Sequence, residues 1–406
     1  MEGVLERIVV VGASLAGSRA AEALRKQGYD GALLLVGAES HLPYDRPPLS
    51  KEVLAGEVEP ARTALRDDGH WDDLDVELVL GEPARGLDPR ARTVQVGGRD
   101  IAYDGLIIAT GTRARMLPFG HDLDGVHVLR TLDDAVTLRD ALAGRPRVVV
   151  IGAGFIGAEV ASVARRRGCD VTIIEALLAP LVRGLGPVVG AACGSLHADH
   201  GTELRVGVGV EGIDGAGGRV ERVRLADGSN LGADVVVVGV GAVPATEWLQ
   251  GAGLELRDGV VCDPTLAVGP PGVYAAGDCA RWPNPGAGRT EMRAEHWTNA
   301  TEQGVAAAAN LLAGPAAAQP FASVPFVWSD QYGTRIQIAG HVAPGDEPEV
   351  LVGSVDERAF LAAYRRADRL VAVAALGLIR PFVKFRILLG QGASWSEATA
   401  LAASLH

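Results

Sequence analysis

Apolar positions in this chain gather into short β-branched runs, each followed by a glycine turn and an alanine-rich stretch, and the pattern is written twice. Residues 7–39 read R-I-V-V-V-G-A-S-L-A-G-S-R-A-A-E-A-L-R-K-Q-G-Y-D-G-A-L-L-L-V-G-A-E, and residues 147–175 read R-V-V-V-I-G-A-G-F-I-G-A-E-V-A-S-V-A-R-R-R-G-C-D-V-T-I-I-E. The apolar runs predict buried strands and the small-residue stretches predict helices. Each copy closes on an acid, Glu39 or Glu175. Strand–helix–strand units of this length build parallel sheets. The expected class is therefore α/β, with two Rossmann-like dinucleotide-binding domains.

Further apolar runs at 106–109, 235–240 and 272–276 predict strands that enter glycine turns at Gly111, Gly241 and Gly277. Around 315–325 the chain becomes A-A-A-Q-P-F-A-S-V-P, a linker signal. Residues 326–373 then alternate as strands do, and 376–390 mix apolar with basic residues. Three domains are expected: a first dinucleotide domain split as 1–113 and 243–322, a second at 114–242, and an α+β domain at 323–406.

Composition narrows the function without naming it. The 53 glycines are nearly twice the usual share of about 7%, but they follow no G-X-Y period, so they serve turns or close approaches to a ligand. A net charge of −12 gives no basic footprint for nucleic acid. No apolar run reaches the roughly 18 residues of a membrane span, and no secretory leader is read in the opening residues. Cys169, Cys193, Cys262 and Cys279 include no C-x-x-C pair, which suits reduced, structural thiols. A cytoplasmic monomer or homodimer is the expectation.

The second copy carries Gly152-x-Gly154-x-x-Gly157, the turn that lets a pyrophosphate approach a helix N-terminus. Glu175, 23 residues after Gly152, suits two ribose hydroxyls and repels a 2′-phosphate, which favours NADH. The first copy departs from the pattern as Gly12-x-Ser14-x-x-Gly17, with Glu39 at the ribose position. Two such sites imply two cofactors or a cofactor and a dinucleotide substrate, and FAD with NAD(P)H is the common pairing.

The segments H-L-P-Y-D-R-P-P-L-S-K (41–51), A-T-G-T (109–112), G-A-G-F-I-G-A-E (152–159), V-Y-A-A-G-D (273–278) and V-W-S-D-Q-Y (327–332) occur in this order. With them the chain resembles the FAD-containing, NADH-dependent ferredoxin reductases of the putidaredoxin-reductase and ring-hydroxylating-dioxygenase type, with a glutathione-reductase-like fold. The resemblance implies that Gly12, Ser14 and Gly17 hold the FAD pyrophosphate and Glu39 its ribose. It places Arg46 and Lys51 along the flavin, Lys51 near its reactive edge, with Thr110 and Gly111 closing over FAD. It gives Gly277 and Asp278 to the ribityl or pyrophosphate portion, and Trp328 to the flavin ring. Gly152, Gly154, Gly157 and Glu175 would carry NADH, with Glu159 facing Lys51 beside the nicotinamide. Lys51 and Glu159 are the catalytic pair it implies, and a structural salt bridge is their alternative role. The implied acceptor is a [2Fe-2S] ferredoxin serving a cytochrome P450 or a dioxygenase.

Between 356 and 386, seven basic residues (Arg358, Arg365, Arg366, Arg369, Arg380, Lys384, Arg386) face three acids, a local balance of +4 that suits an acidic ferredoxin. A solvated surface accounts for the same charges equally well. Trp297 and Trp328 are candidate aromatic contacts between flavin and partner, with core packing the favoured role for Trp297. Cys193, His197 and His200 share one helical face, but no fourth ligand accompanies them, so no metal site is expected. Thiol-based chemistry is set aside because residues 40–51 hold no cysteine. A direct NADH oxidase and an NADH-responsive signalling flavoprotein remain as alternatives.

Overall fold

The computed structural model describes residues 5–405. Met1–Val4, where the leader reading falls, and His406 lie outside the described residues. The first copy forms β1 (Arg7–Val11), α1 (Leu15–Lys26) and β2 (Ala32–Val36). The second forms β3 (Arg147–Ile151), α2 (Phe155–Arg166) and β4 (Asp170–Glu175), followed by the helix α3 (Val182–Asp199). In each copy the first strand is buried along its whole apolar run, as expected of a parallel strand covered on both faces.

The chain divides into two compact units, one of residues 1–45, 63–113 and 243–325, the other of residues 46–62, 114–242 and 326–406. In the first unit β1 pairs in parallel with β2 on one side and with Gly105–Ile108 on the other. Val273–Ala275 and Val76–Val79 are the outer strands of this five-stranded sheet. The strand order reverses at β1, so its carboxyl end opens on the crevice where parallel sheets bind ligands. α4 (Trp297–Ala313) lies along α1, and Gly304 permits the approach, since a side-chain carbon there would meet the Ala16 carbonyl.

In the second unit β3 holds the same central place, between β4 and Val235–Val238, with Glu203–Val206 and Val126–His127 outermost. Besides a three-stranded sheet within 210–232, the unit has a five-stranded antiparallel sheet. It begins with β5 (Phe326–Gln331) and β6 (Thr334–Gly340), then takes in 369–376, 359–366 and 347–354 in that spatial order. α5 (Ile379–Gly390) packs on it through Phe382, Phe385 and Leu389. The 376–390 stretch is thus mostly helix, its basic residues outward and its aromatics inward.

Candidate active site

Both glycine turns are built alike. Gly12 and Gly152 have φ of +121° and +101°, a region open to glycine, and a side-chain carbon would collide with the carbonyls of Ala109 and Gly239 respectively. Gly17 and Gly157 are closed for a second reason: a side-chain carbon would strike the carbonyl of Gly12 or Gly152, so each lets its helix lie against its own turn. Gly154 faces open space. Ser14, its counterpart, is the N-cap residue of α1 in extended conformation and makes no side-chain cap bond.

Around the first turn, Glu39 accepts a 2.5 Å hydrogen bond from the Tyr44 hydroxyl. Thr110 Oγ1 donates to the Ala245 carbonyl at 2.7 Å, and Gly111 has φ of +66°. Gly277, at φ +78°, donates its N–H to Gln303 Oε1 at 2.8 Å, while Asp278 Oδ2 accepts from Thr112 Oγ1 at 3.4 Å. Trp297, read as packing, is half-buried and donates Nε1–H to Asp45 at 2.7 Å. The polar residues that flank Trp297 at the start of α4 were missed in the sequence. Its N-cap residue, His296, makes no cap bond, and burial lowers the imidazole pKa to about 4. His296 Nδ1, Asn299 Oδ1 and Gln303 Nε2 are buried without hydrogen-bond partners. Orphaned polar atoms of this kind mark a place where a polar ligand belongs.

Around the second turn, Glu175 closes β4 and turns back: Oε2 accepts from the N–H of Ala153, inside the glycine turn, at 2.8 Å, and Oε1 from the N–H of Leu177 at 2.9 Å. One turn into α2, Glu159 is 2% exposed and forms an ion pair with Lys51 at 2.8 Å. Lys51 Nζ also donates to the Pro47 carbonyl at 3.2 Å. It borders an open cleft of about 750 Å3, shared with Arg165, Arg335 and Tyr332. Arg46 donates to the Arg130 carbonyl at 2.6 Å. Trp328 is half-buried and stacks on Phe326, ring centroids 5.7 Å apart. Three further groups reach Glu159 that the sequence did not single out: Ser50, Ser329 and the backbone N–H of Asp330.

The members of the Cys193–His197–His200 face are engaged in other contacts. Cys193 is buried and its thiol pKa is pushed up to about 12, while His197 bonds the Tyr332 hydroxyl at 2.9 Å and His200 stacks on the same ring. Among the described residues no cluster of potential ligands fits a metal ion. All four cysteines are buried and free, with their pKa values raised by burial. Three of the basic residues of 356–386 have local partners. Arg358 pairs with Asp199, Arg366 with Asp346, and Arg365 lies over Trp395. No described helix is long and apolar enough to cross a membrane.

The pyridine nucleotide-disulphide oxidoreductase family model matches residues 6–304, and a reductase C-terminal model matches 326–405. Rhodocoxin reductase of Rhodococcus erythropolis is 39% identical over 384 residues, 94% of this chain and 89% of that protein. The benzene 1,2-dioxygenase system ferredoxin–NAD(+) reductase subunit of Pseudomonas putida is 38% identical over 92% of this chain and 90% of its own length. Among solved structures, the ferredoxin reductase for the CYP199A2 system from Rhodopseudomonas palustris superposes with a TM-score of 0.92 at 34% identity, covering 97% of each chain.

Proposed function

This chain belongs to the pyridine nucleotide-disulphide oxidoreductase family, in the form that carries a reductase C-terminal domain, and from that premise we propose that it passes electrons from NADH through FAD to a [2Fe-2S] ferredoxin. The observation that carries the reading is the pair of dinucleotide turns in a chain whose four thiols are all buried and held protonated. Two nucleotides can be served, and no cysteine is placed to take the electrons onward, so the acceptor comes from outside.

The first unit suits FAD. The Gly12–Gly17 turn gives its phosphates a glycine cradle, and the orphaned atoms of His296, Asn299 and Gln303 are free to bond a polar cofactor. We assign Gly12, Ser14, Gly17, Glu39, Thr110, Gly111, Gly277 and Asp278 to its binding. The second unit suits NADH. Gly154 leaves room for the pyrophosphate, and Glu175, held by the Ala153 and Leu177 amides, offers a fixed carboxylate to the ribose. FAD, when bound, takes a hydride from NADH and releases electrons singly. Lys51 sets a positive charge where reduction builds negative charge, and Glu159 a negative charge for the oxidised nicotinamide. Arg46 and Trp328 are assigned to the flavin ring.

For the ferredoxin we assign the outer face of α5. Ile379, Val383 and Ile387 stand exposed at successive i, i+4 positions, flanked by Arg380 and Lys384, and the helix carries no acid. Arg386 lies over the Phe326 ring at 4.1 Å. An apolar stripe edged by cations complements an acidic ferredoxin with an apolar contact face. The terminal oxygenase is a P450 or a dioxygenase, and the compartment is the cytoplasm. The test is NADH turnover by the purified flavoprotein with and without an added [2Fe-2S] ferredoxin. Ferredoxin-dependent reduction of the cluster is expected. Oxygen-limited turnover of equal rate without ferredoxin would make the protein an NADH oxidase instead.

A further inference from the structure

Glu159 is held by four donors from two directions. Ser50 Oγ donates to Oε2 at 2.5 Å and Lys51 Nζ to the same oxygen at 2.8 Å, while Ser329 Oγ and the Asp330 N–H donate to Oε1 at 2.6 and 3.3 Å. A carboxylate has about four acceptor positions. Those of Glu159 are therefore filled, only one of them by Lys51.

The direction of the Ser329 bond is set by the carboxylate, which only accepts, and agrees with its neighbour, whose own Oε1 is buried without a partner. Gln331 Nε2 donates to Ser329 Oγ at 3.1 Å. An amide NH2 accepts nothing, so the hydroxyl proton of Ser329 points away from Gln331 and onto Glu159. Ser329 and Gln331 occupy alternate, fully buried positions of β5, 0% and 1% exposed. Polar groups on the inward face of a strand cost stability unless they are bonded to something that needs them. The strand is also pinned. Tyr332 follows it at φ +51°, strained for a bulky residue, and is held by Ser162 Oγ at its N–H and by His197 and Thr202 at its hydroxyl.

We propose that Ser329, oriented by Gln331, and Ser50 are positioning residues for hydride transfer: they fix the plane and place of the Glu159 carboxylate independently of Lys51. Lys51 is then free to adjust toward the reduced flavin while the anion beside the nicotinamide stays where it is. This rests on the reading of the protein as an NADH-oxidising flavoprotein. It assigns a purpose to the S-D-Q part of the V-W-S-D-Q-Y segment that is separate from Trp328.

The experiment is single-turnover flavin reduction by NADH, followed by flavin absorbance with no ferredoxin present. It is run on the holoenzyme and on its Ser329→Ala, Ser329→Thr, Gln331→Leu and Ser50→Ala variants. Ser329→Ala is expected to slow reduction on the order of tenfold to a hundredfold through misplacement of the carboxylate, and Ser329→Thr to restore most of it. Gln331→Leu combined with Ser329→Ala should be no slower than Ser329→Ala alone, because Gln331 acts only through Ser329. The Kd for NAD+, from calorimetry on the oxidised enzyme, should stay within about twofold, and the Glu159 carboxylate should be rotated in a crystal structure of Ser329→Ala.

A Ser329→Ala variant that reduces its flavin at the wild-type rate overturns the proposal. So does a loss that Ser329→Thr does not restore and that parallels a weaker Kd for NAD+ or a lower melting temperature. A wild-type flavoprotein that NADH does not reduce overturns the parent reading, and the positioning role with it.

Discussion

At the scale of single residues, two groups make opposite demands on the interior of the second unit. Lys51 and Glu159 are 14% and 3% exposed at their side chains, and breaking such a pair commonly costs roughly 3–5 kcal/mol. Here Ser50, Ser329 and the Asp330 amide would still bond Glu159, so Lys51→Met should cost less than that and remain folded. Its expected signature is a flavin-reduction rate lowered at least tenfold at saturating NADH, about 1.4 kcal/mol or more in the barrier. An unchanged rate would return the pair to a purely structural role. His197 is a different case. Burial lowers its pKa to about 4 from an ordinary value near 6.5. Between those two values the unfolded chain binds a proton that the folded one does not, so stability is intact above pH 6.5 and falls as the pH drops toward 4. The full loss is about 3 kcal/mol. A thermal-melting series from pH 7 to pH 4 should show it, and His197→Gln, which keeps a donor for the Tyr332 hydroxyl, should flatten the slope.

At the scale of elements, the second glycine turn separates packing from the proposed nucleotide binding within one motif. A side-chain carbon at Gly157 would meet the Gly152 carbonyl, whereas at Gly154 it would meet nothing. Gly157→Ala should therefore lower the melting temperature by several degrees or prevent folding. Gly154→Ala should leave melting unchanged and raise KM for NADH several-fold, because it narrows only the space offered to the phosphates. Melting curves beside steady-state kinetics check both. These turns were legible in the sequence because everything that specifies them lies within about thirty residues: the β-branched run, the glycines and the closing acid. Ser329 and Gln331 were not. The bond from Ser329 to Glu159 spans 170 residues, and no local pattern encodes a partner so distant. A local sign did exist, since polar residues alternate at 329 and 331 in a strand whose neighbours bury apolar side chains. The polar residues that flank Trp297 at the start of α4 were missed for a related reason: R-A-E-H-W-T-N-A reads as an ordinary polar helix start until its buried, unpaired atoms are seen.

For the whole molecule, charge decides how a partner arrives, and a count of basic residues along 356–386 does not say where that charge sits. Consecutive strand residues point to opposite faces, and Arg358 and Arg366 are neutralised by Asp199 and Asp346, distant in sequence. Arg365 and Arg369 stay exposed on their strands, and α5 presents Arg380 and Lys384 beside the exposed Ile379–Val383–Ile387 stripe, on a chain of net charge −12. With α5 as the proposed docking face, an acidic ferredoxin is repelled by the net charge of the molecule and attracted by that face, so local charge and long-range charge oppose each other. Salt screens both, but over a Debye length of about 8 Å at physiological strength the short-range attraction is what orients the encounter. Ferredoxin reduction should therefore pass through a maximum as ionic strength rises, first relieving the overall repulsion and then weakening the α5 contact. Replacing both cations, Arg380→Glu with Lys384→Glu, should remove the maximum and lower kcat/KM for ferredoxin on the order of tenfold. Ile387→Asp should lower it at every salt concentration, because burial of an apolar stripe is not screened. In each variant NADH-dependent reduction of a small acceptor such as ferricyanide should be unchanged, since α5 holds none of the residues assigned to NADH or FAD. A double charge reversal that leaves both the rate and its salt profile intact would move ferredoxin docking to another face of the protein.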